Sequence, residues 1–155
     1  MSVERRIAEL GIEIPQAATP VGSYVPGVRV GNILFMSGHG PFDSQGQVTA
    51  RGKLGRDMEI DEANAVARQV ALNMLGSVRE IAGSLDRVKR VVKVLGLVNC
   101  VDGFTASPKV IDGFSNCMVE VFGEAGRHGR SAFGVMELPA GIPVEVEAVF
   151  ELHPD

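Results

Sequence analysis

The longest coherent pattern in the chain is a run of apolar positions spaced three and four apart: Ala63, Val66, Ala67, Val70, Ala71, Met74, Val78, Ile81 and Ala82. That spacing places all of them on one face of an α-helix, with Asp61 positioned to cap its start. A second run of the same period, Val110, Ile111, Phe114, Cys117, Met118, Val121 and Phe122, follows Pro108, which suits a first helical turn, and is closed by Gly123 and Gly126. Between the two helices, the β-branched stretch from Val88 to Val101 reads as a long strand with apolar residues on both faces. At the C-terminal end the period is two: Val144, Val146, Ala148, Phe150 and Leu152 share one face, and Glu145, Glu147 and Glu151 share the other. Ser131 to Leu138 forms the strand before it, joined through residues 139–143 as a predicted C-terminal β-hairpin with Arg130 at its entrance.

Toward the N-terminus, Ser2 followed by Val3, Ile7 and Leu10 starts a short amphipathic helix stopped by Gly11 and Pro15. Residues 20–27 are broken by prolines and glycines. They lead into a hairpin of Val28-Arg29-Val30 and Ile33-Leu34-Phe35-Met36 around Gly31-Asn32, ended by Ser37-Gly38-His39-Gly40-Pro41. Residues 43–57 are polar and glycine-punctuated, with one short strand expected near Gln47 and Val48. The expected order is ββαβαββ in a single α+β domain, residues 18–155, preceded by a helical extension, residues 1–17. Two helices separated by strands favour crossovers that put both on one side of a mixed sheet. The opposite face, carrying Phe133, Val135 and Val149, then needs cover, and a second copy of the chain is the expected cover.

Composition narrows the chemistry. A net charge of -4 and only one Tyr, no Trp and seven Phe give neither a phosphate-neutralising stripe nor a stacking platform, so nucleic acid is a poor partner. No segment is apolar enough to cross a bilayer or to serve as a signal-peptide core, so a cytoplasmic protein is expected. Cys100 and Cys117 sit where reduced thiols act as small core residues. His39, His128 and His153 are scattered without ligand spacing, and no phosphate-cradling glycine loop occurs, so neither a metal nor a nucleotide cofactor is expected.

Two groups remain. Arg127, His128 and Arg130 form a basic cluster at a glycine-permitted turn, and a guanidinium fork matches a carboxylate; the alternative is a structural clamp on Glu124. Glu145 and Glu147 crowd two like charges on one strand face, which can raise one pKa and make a proton donor, although such pairs are also common at solvated edges. The lone Tyr24 reads equally as a lid or a plug, and Ser37 has no triad signature around it.

The ordered set Gly22-Ser23-Tyr24-Val25-Pro26-Gly27, Met36-Ser37-Gly38, Gly129-Arg130-Ser131 and Leu138-Pro139 followed by Val144-Glu145-Val146-Glu147-Ala148 resembles the Rid family, also called YjgF-like or L-PSP endoribonuclease, in a divergent branch. The resemblance spans about residues 18–152. It implies a chorismate-mutase-like, bacillus-type fold assembled as a homotrimer with ligand clefts between subunits. It also implies cofactor-free deamination of enamines and imines to 2-keto acids and ammonia. Carried over residue by residue, Arg130 would hold the substrate carboxylate and Glu145 would position or protonate the attacking water. Tyr24, Ser37 and Gly38 would line the cleft, with Arg130 and Tyr24 contributed by adjacent subunits. This chain has Ala132 where the well-known deaminases carry Cys, His39 where glutamine is frequent, and Ser107-Pro108-Lys109 where an asparagine is usual. A non-catalytic trimer binding small carboxylate metabolites is the alternative; the ribonuclease and translation-inhibitor role finds no basic surface to support it.

Overall fold

A computed structural model describes all 155 residues. The elements run α1 (Val3–Glu9), β1 (Gly27–Val30), β2 (Ile33–His39), α2 (Ile60–Ala82), β3 (Val88–Asn99), α3 (Ser107–Phe122), β4 (Gly129–Val135) and β5 (Val144–Leu152). The expected order of strands and helices holds. Both long helices end at glycines: Gly83 closes α2 at a positive φ, and Gly123 closes α3. The start of α2 departs from expectation. The helix begins at Ile60 behind Glu59, and Asp61 lies inside the first turn, where its charge favours the helix dipole without capping.

The five strands form one sheet in the order β1-β2-β5-β3-β4, with only the β3/β4 pair parallel. This corrects the predicted C-terminal hairpin. β4 is an edge strand that pairs with β3, and β5 runs antiparallel between β2 and β3. The reason lies in the β3-α3-β4 unit: a helix crossing between two strands returns the second parallel to the first. β3 thus separates β4 from β5, and the segment between them contains the short turn Pro139–Gly141 rather than a hairpin loop. β2 also runs longer than expected, to His39, because a register shift between Met36 and His39 absorbs Ser37-Gly38 without ending the strand. β4 is shorter, stopping at Val135.

Both helices cover the same side of the sheet. The core gathers Val70, Met74 and Val78 of α2, Ile111, Phe114 and Met118 of α3, and Val144, Val146 and Phe150 of β5, all completely buried. Two glycines allow this closeness. A methyl at Gly113 would meet the Asn64 carbonyl oxygen at 2.0 Å, where α3 crosses α2, and one at Gly96 would meet Ile111 at 2.6 Å, where α3 rests on β3. Ile7 of α1 is buried in the same core, and Glu4 receives Arg79 and the Leu85 amide, so the N-terminal helix is sewn to the body of the domain.

The 43–57 segment carries isolated bridges, Phe42 to Val48 and Leu54 to Met58 and Cys100, in place of a strand. It is pinned by Lys53, whose ammonium donates to Asn99 Oδ1 at 2.7 Å and to the Met136 carbonyl. The other face of the sheet has no covering layer. Phe35 and Phe133 are each 49% exposed there, and Leu95, Leu97 and Val149 are only partly buried.

Candidate functional site

The end of β2 builds the first part of the site. The Ser37 hydroxyl donates to the Val25 carbonyl at 2.6 Å, and the Ser37 amide donates to the Pro26 carbonyl at 2.9 Å. These bonds lash the proline-broken segment to the strand and hold Tyr24, 55% exposed, at the mouth of a cleft of about 150 Å³ that Ser37 and Gly38 also line. His39, Asn73 and Ser77 stand in the same cleft. Asn73 donates to the carbonyls of Gly40 and Phe42, fixing the turn after β2. His39 Nδ1 lies 2.7 Å from the Ser37 carbonyl and Nε2 lies 2.9 Å from Ser77 Oγ, so the proton sits on Nδ1 and Nε2 accepts from the serine. Burial holds this imidazole below its ordinary pKa, and the ring is a neutral wall of the cleft.

Glu145 lies across Gly38, on the uncovered face of the sheet. A methyl at Gly38 would come within 3.0 Å of its carboxyl carbon, so the glycine makes room for it. Desolvation, and then the charge of Glu147, raise the Glu145 pKa above its usual value. The acidic pair expected from the sequence is therefore real. Glu145 is its half-buried member, and Glu147 is exposed.

Arg130 stands elsewhere. It pairs in register with Val94, a residue buried beneath the helices, and so points to the helix side of the sheet, opposite to Glu145. Its Nη1 donates to Asp112 Oδ1 at 2.8 Å and to Ser115 Oγ at 3.1 Å, both on α3. Nε and Nη2 make no bond within the chain, and neither is shut away from solvent. One edge of the guanidinium is thus anchored and the other is presented to an open hollow that also contains Ser115, Asn116, Arg127 and His128. The structural clamp considered from the sequence falls to Arg127, whose Nε is 3.3 Å from Glu124; Arg130 is clamped by Asp112 instead.

Within one chain, Tyr24, Ser37 and Gly38 share the cleft at the end of β2, Glu145 stands against Gly38 without lining that cleft, and Arg130 lies apart from them on the edge strand. Sequence reasoning missed Asp112, Ser115, Asn73 and Ser77. A signal for the first two existed, because Asp112 and Ser115 are three apart on α3 and flank its apolar positions. Cys117 is completely buried, which pushes its thiol up to about 11, and Cys100 is a free thiol just beyond β3. Neither supplies a nucleophile to the hollow. Ala132 sits two residues along β4 from Arg130 and packs partly against the core.

A family model described as "YjgF/chorismate_mutase-like, putative endoribonuclease" matches residues 4–147, and the chain belongs to this family. Its α+β fold, one mixed sheet with helices on one side, is the fold of that family's solved members. A crystal structure from Agrobacterium tumefaciens, titled as a protein of unknown function, is 36% identical with a TM-score of 0.85, covering 97% of this chain and 92% of the other. The protein TCP17 of Trypanosoma cruzi is 41% identical over 152 residues, covering 97% of this chain and 94% of that one. A protein of Dermatophagoides farinae named 2-iminobutanoate/2-iminopropanoate deaminase is 28% identical over 138 residues, covering 89% of this chain and 92% of that one. No helix is long and apolar enough to cross a membrane.

Proposed function

We propose that this protein is a cofactor-independent deaminase that hydrolyses small 2-imino acids, and the enamines that tautomerise to them, to 2-keto acids and ammonia. The observation that carries the reading is the half-anchored Arg130: Asp112 and Ser115 hold Nη1 while the Nε/Nη2 edge is left for a ligand. A planar carboxylate fits that edge with two parallel hydrogen bonds. The name of the mite relative supports the reaction class.

The reaction also needs an aimed water. Glu145, raised in pKa and set against Gly38, is the group the family resemblance assigns to it. Because Glu145 and Arg130 lie on opposite faces of one sheet, the complete site requires a neighbouring copy of the chain. The exposed Phe35 and Phe133 give that copy an apolar face to cover. A homotrimer with the cleft of one subunit facing the Arg130 of the next is the arrangement proposed, in the cytoplasm.

Freshly generated 2-aminoacrylate supplies the test. Keto-acid release faster than in buffer, and lost in Arg130→Ala, supports the proposal; no acceleration, or equal activity in the variant, refutes it. The second reading is a trimer that binds small carboxylates without turnover. It is favoured by Asp112, which already half-satisfies the anchor, and by Ala132, which brings no reactive group. Thermal stabilisation by a keto acid in the wild type but not in Arg130→Ala, with no turnover, would select it.

A further inference from the structure

The N-terminal segment does more than attach α1. Beyond that helix the chain crosses α2 at Gly76, where a methyl would meet the Pro15 carbonyl oxygen at 2.3 Å and the Ala17 nitrogen at 3.5 Å. Backbone can come this close only to a glycine, and a glycine inside a helix is about 1 kcal/mol less favourable than alanine, so α2 gives up helix stability to admit the crossing. The crossing lays Gln16 and residues 18–21 along the cleft at the end of β2, where they form one wall. Its start is fastened by Glu4, whose carboxylate takes Arg79 Nη2 at 2.6 Å, and by Arg6, whose Nε donates to the Glu120 carbonyl at 2.7 Å.

The interior of this cleft has no side-chain donor to offer. Ser37 gives its hydroxyl hydrogen to the Val25 carbonyl, and Ser77 gives its own to His39 Nε2. His39 Nδ1 is spent on the Ser37 carbonyl. Asn73 donates to the carbonyls of Gly40 and Phe42, and its oxygen accepts from Gln69 at 3.0 Å. Ala18, Pro20, Pro26 and Phe42 add only apolar side chains. The other polar side chains of the lining, Gln16, Thr19, Tyr24 and Asp43, are exposed and stand at the rim. A carboxylate entering the cleft would give up its water and find no donor, whereas an apolar group loses nothing. Val21, 87% exposed, is an apolar side chain at the rim still to be covered.

A carboxylate on the Nε/Nη2 edge of Arg130 directs the carbon next to it away from the guanidinium. In the assembly proposed above, the cleft of the neighbouring subunit faces that edge, so the substituent on that carbon runs into the cleft. A space of about 150 Å³ holds a group of about benzene size, well beyond a methyl. We propose, resting on the imine-hydrolysis reading, that the N-terminal segment makes this protein selective for 2-imino acids with apolar side chains of about four to six carbons, with residues 16–21 as the specificity-determining wall. Gly76 is a positioning residue for that wall and touches no ligand.

The experiment titrates the assembled protein calorimetrically with pyruvate, 4-methyl-2-oxopentanoate and 2-oxoglutarate, and follows turnover of the imino acids formed from alanine and leucine. The branched ligand carries three more carbons than pyruvate. At about 0.8 kcal/mol per carbon and about 1.4 kcal/mol per tenfold, it should bind about fiftyfold more tightly than pyruvate, and 2-oxoglutarate no more tightly than pyruvate. Gly76→Ala, which pushes the wall off α2, should cut the preference to below about tenfold while pyruvate binding stays within about twofold. Ala18→Leu, which fills the cleft, should weaken the branched ligand at least about tenfold, and it keeps the wall testable if Gly76→Ala does not fold. Thermal midpoints report folding. In the wild type, NOEs should run from the methyls of the branched ligand to the Ala18 methyl.

A branched ligand bound less than about threefold more tightly than pyruvate, or 2-oxoglutarate bound as tightly as the branched ligand, overturns the proposal. So does the absence of those NOEs, or a preference unchanged in both variants. If pyruvate binding is still lost in Arg130→Ala, the anchor survives that result. Branched-ligand binding unchanged in Arg130→Ala separates the cleft from the anchor and also overturns the proposal. Selective binding without turnover of either imino acid refutes hydrolysis and leaves the selectivity of the wall standing. A wild type that binds none of the three acids overturns both.

Discussion

Asp112→Asn tests how Arg130 is tuned. Asp112 accepts from Nη1 at 2.8 Å, so the guanidinium that would hold a substrate carboxylate already carries one. The asparagine keeps an acceptor oxygen in place and removes only the charge. A ligand carboxylate on the opposite edge would lie roughly 6 Å from the Asp112 carboxylate, where like charges repel by about 0.7 kcal/mol in water and about 3 kcal/mol at an effective dielectric of about 20. A value in the lower half of that range, about 1.4 kcal/mol, is about tenfold in Kd. Asp112→Asn should therefore bind pyruvate about ten times more tightly, with the gain shrinking as salt is raised toward and beyond 0.15 M, where the Debye length is about 8 Å. Stability should barely change, because the Asp112 side chain is 49% exposed and such pairs contribute about 0 to 1 kcal/mol. Isothermal titration at low and moderate ionic strength measures the effect. Unchanged or weaker binding in Asp112→Asn would refute the idea that the carboxylate occupies the edge opposite Asp112.

Other outcomes follow from the same geometry. Gly113→Ala drives a methyl to 2.0 Å from the Asn64 carbonyl and should cost about 3 kcal/mol, lowering Tm by roughly 10 °C in a scanning calorimeter. Glu145→Gln should stabilise the protein at pH 7 and do nothing at pH 3.5: the folded pKa is raised above 4.5, so ionisation penalises the wild-type fold increasingly as pH rises above that value. Denaturant melts of both proteins at the two pH values decide it, and an equal difference at each pH would contradict the assignment. Phe133→Glu places a charge on the uncovered face and should convert the trimer expected by light scattering into monomers; a wild type that is itself monomeric would sink the intersubunit site.

Much of this was legible in the chain before any coordinates. The apolar faces of α2 and α3 are buried as their spacing required, and β5 alternates between a buried valine face and its glutamates. Strand neighbours were not legible, because alternation reveals which face a residue occupies and is silent about which strand lies beside it. That is why β4 and β5 looked like a hairpin although β3 runs between them. Asp61 showed the same limit at small scale: a start two residues earlier than expected moved it from cap to first turn of α2. Arg130, Glu145, Tyr24, Ser37 and Gly38 could be named from motifs. His128 was already named beside Arg130 in the basic cluster of the turn. Asp112 and Ser115 are neighbours on α3, but their meeting with Arg130 depends on α3 folding back along β4, which their spacing does not record.

The central claim is that the free edge of Arg130 receives a carboxylate. A crystal structure of the assembled protein soaked with pyruvate tests it most directly. The account predicts carboxylate density within hydrogen-bond distance of Arg130 Nε and Nη2, with Nη1 still held by Asp112 and Ser115. Pyruvate bound only in the Tyr24–Ser37 cleft, or an Arg130 whose free edge is filled by a protein group from the neighbouring subunit, would contradict it.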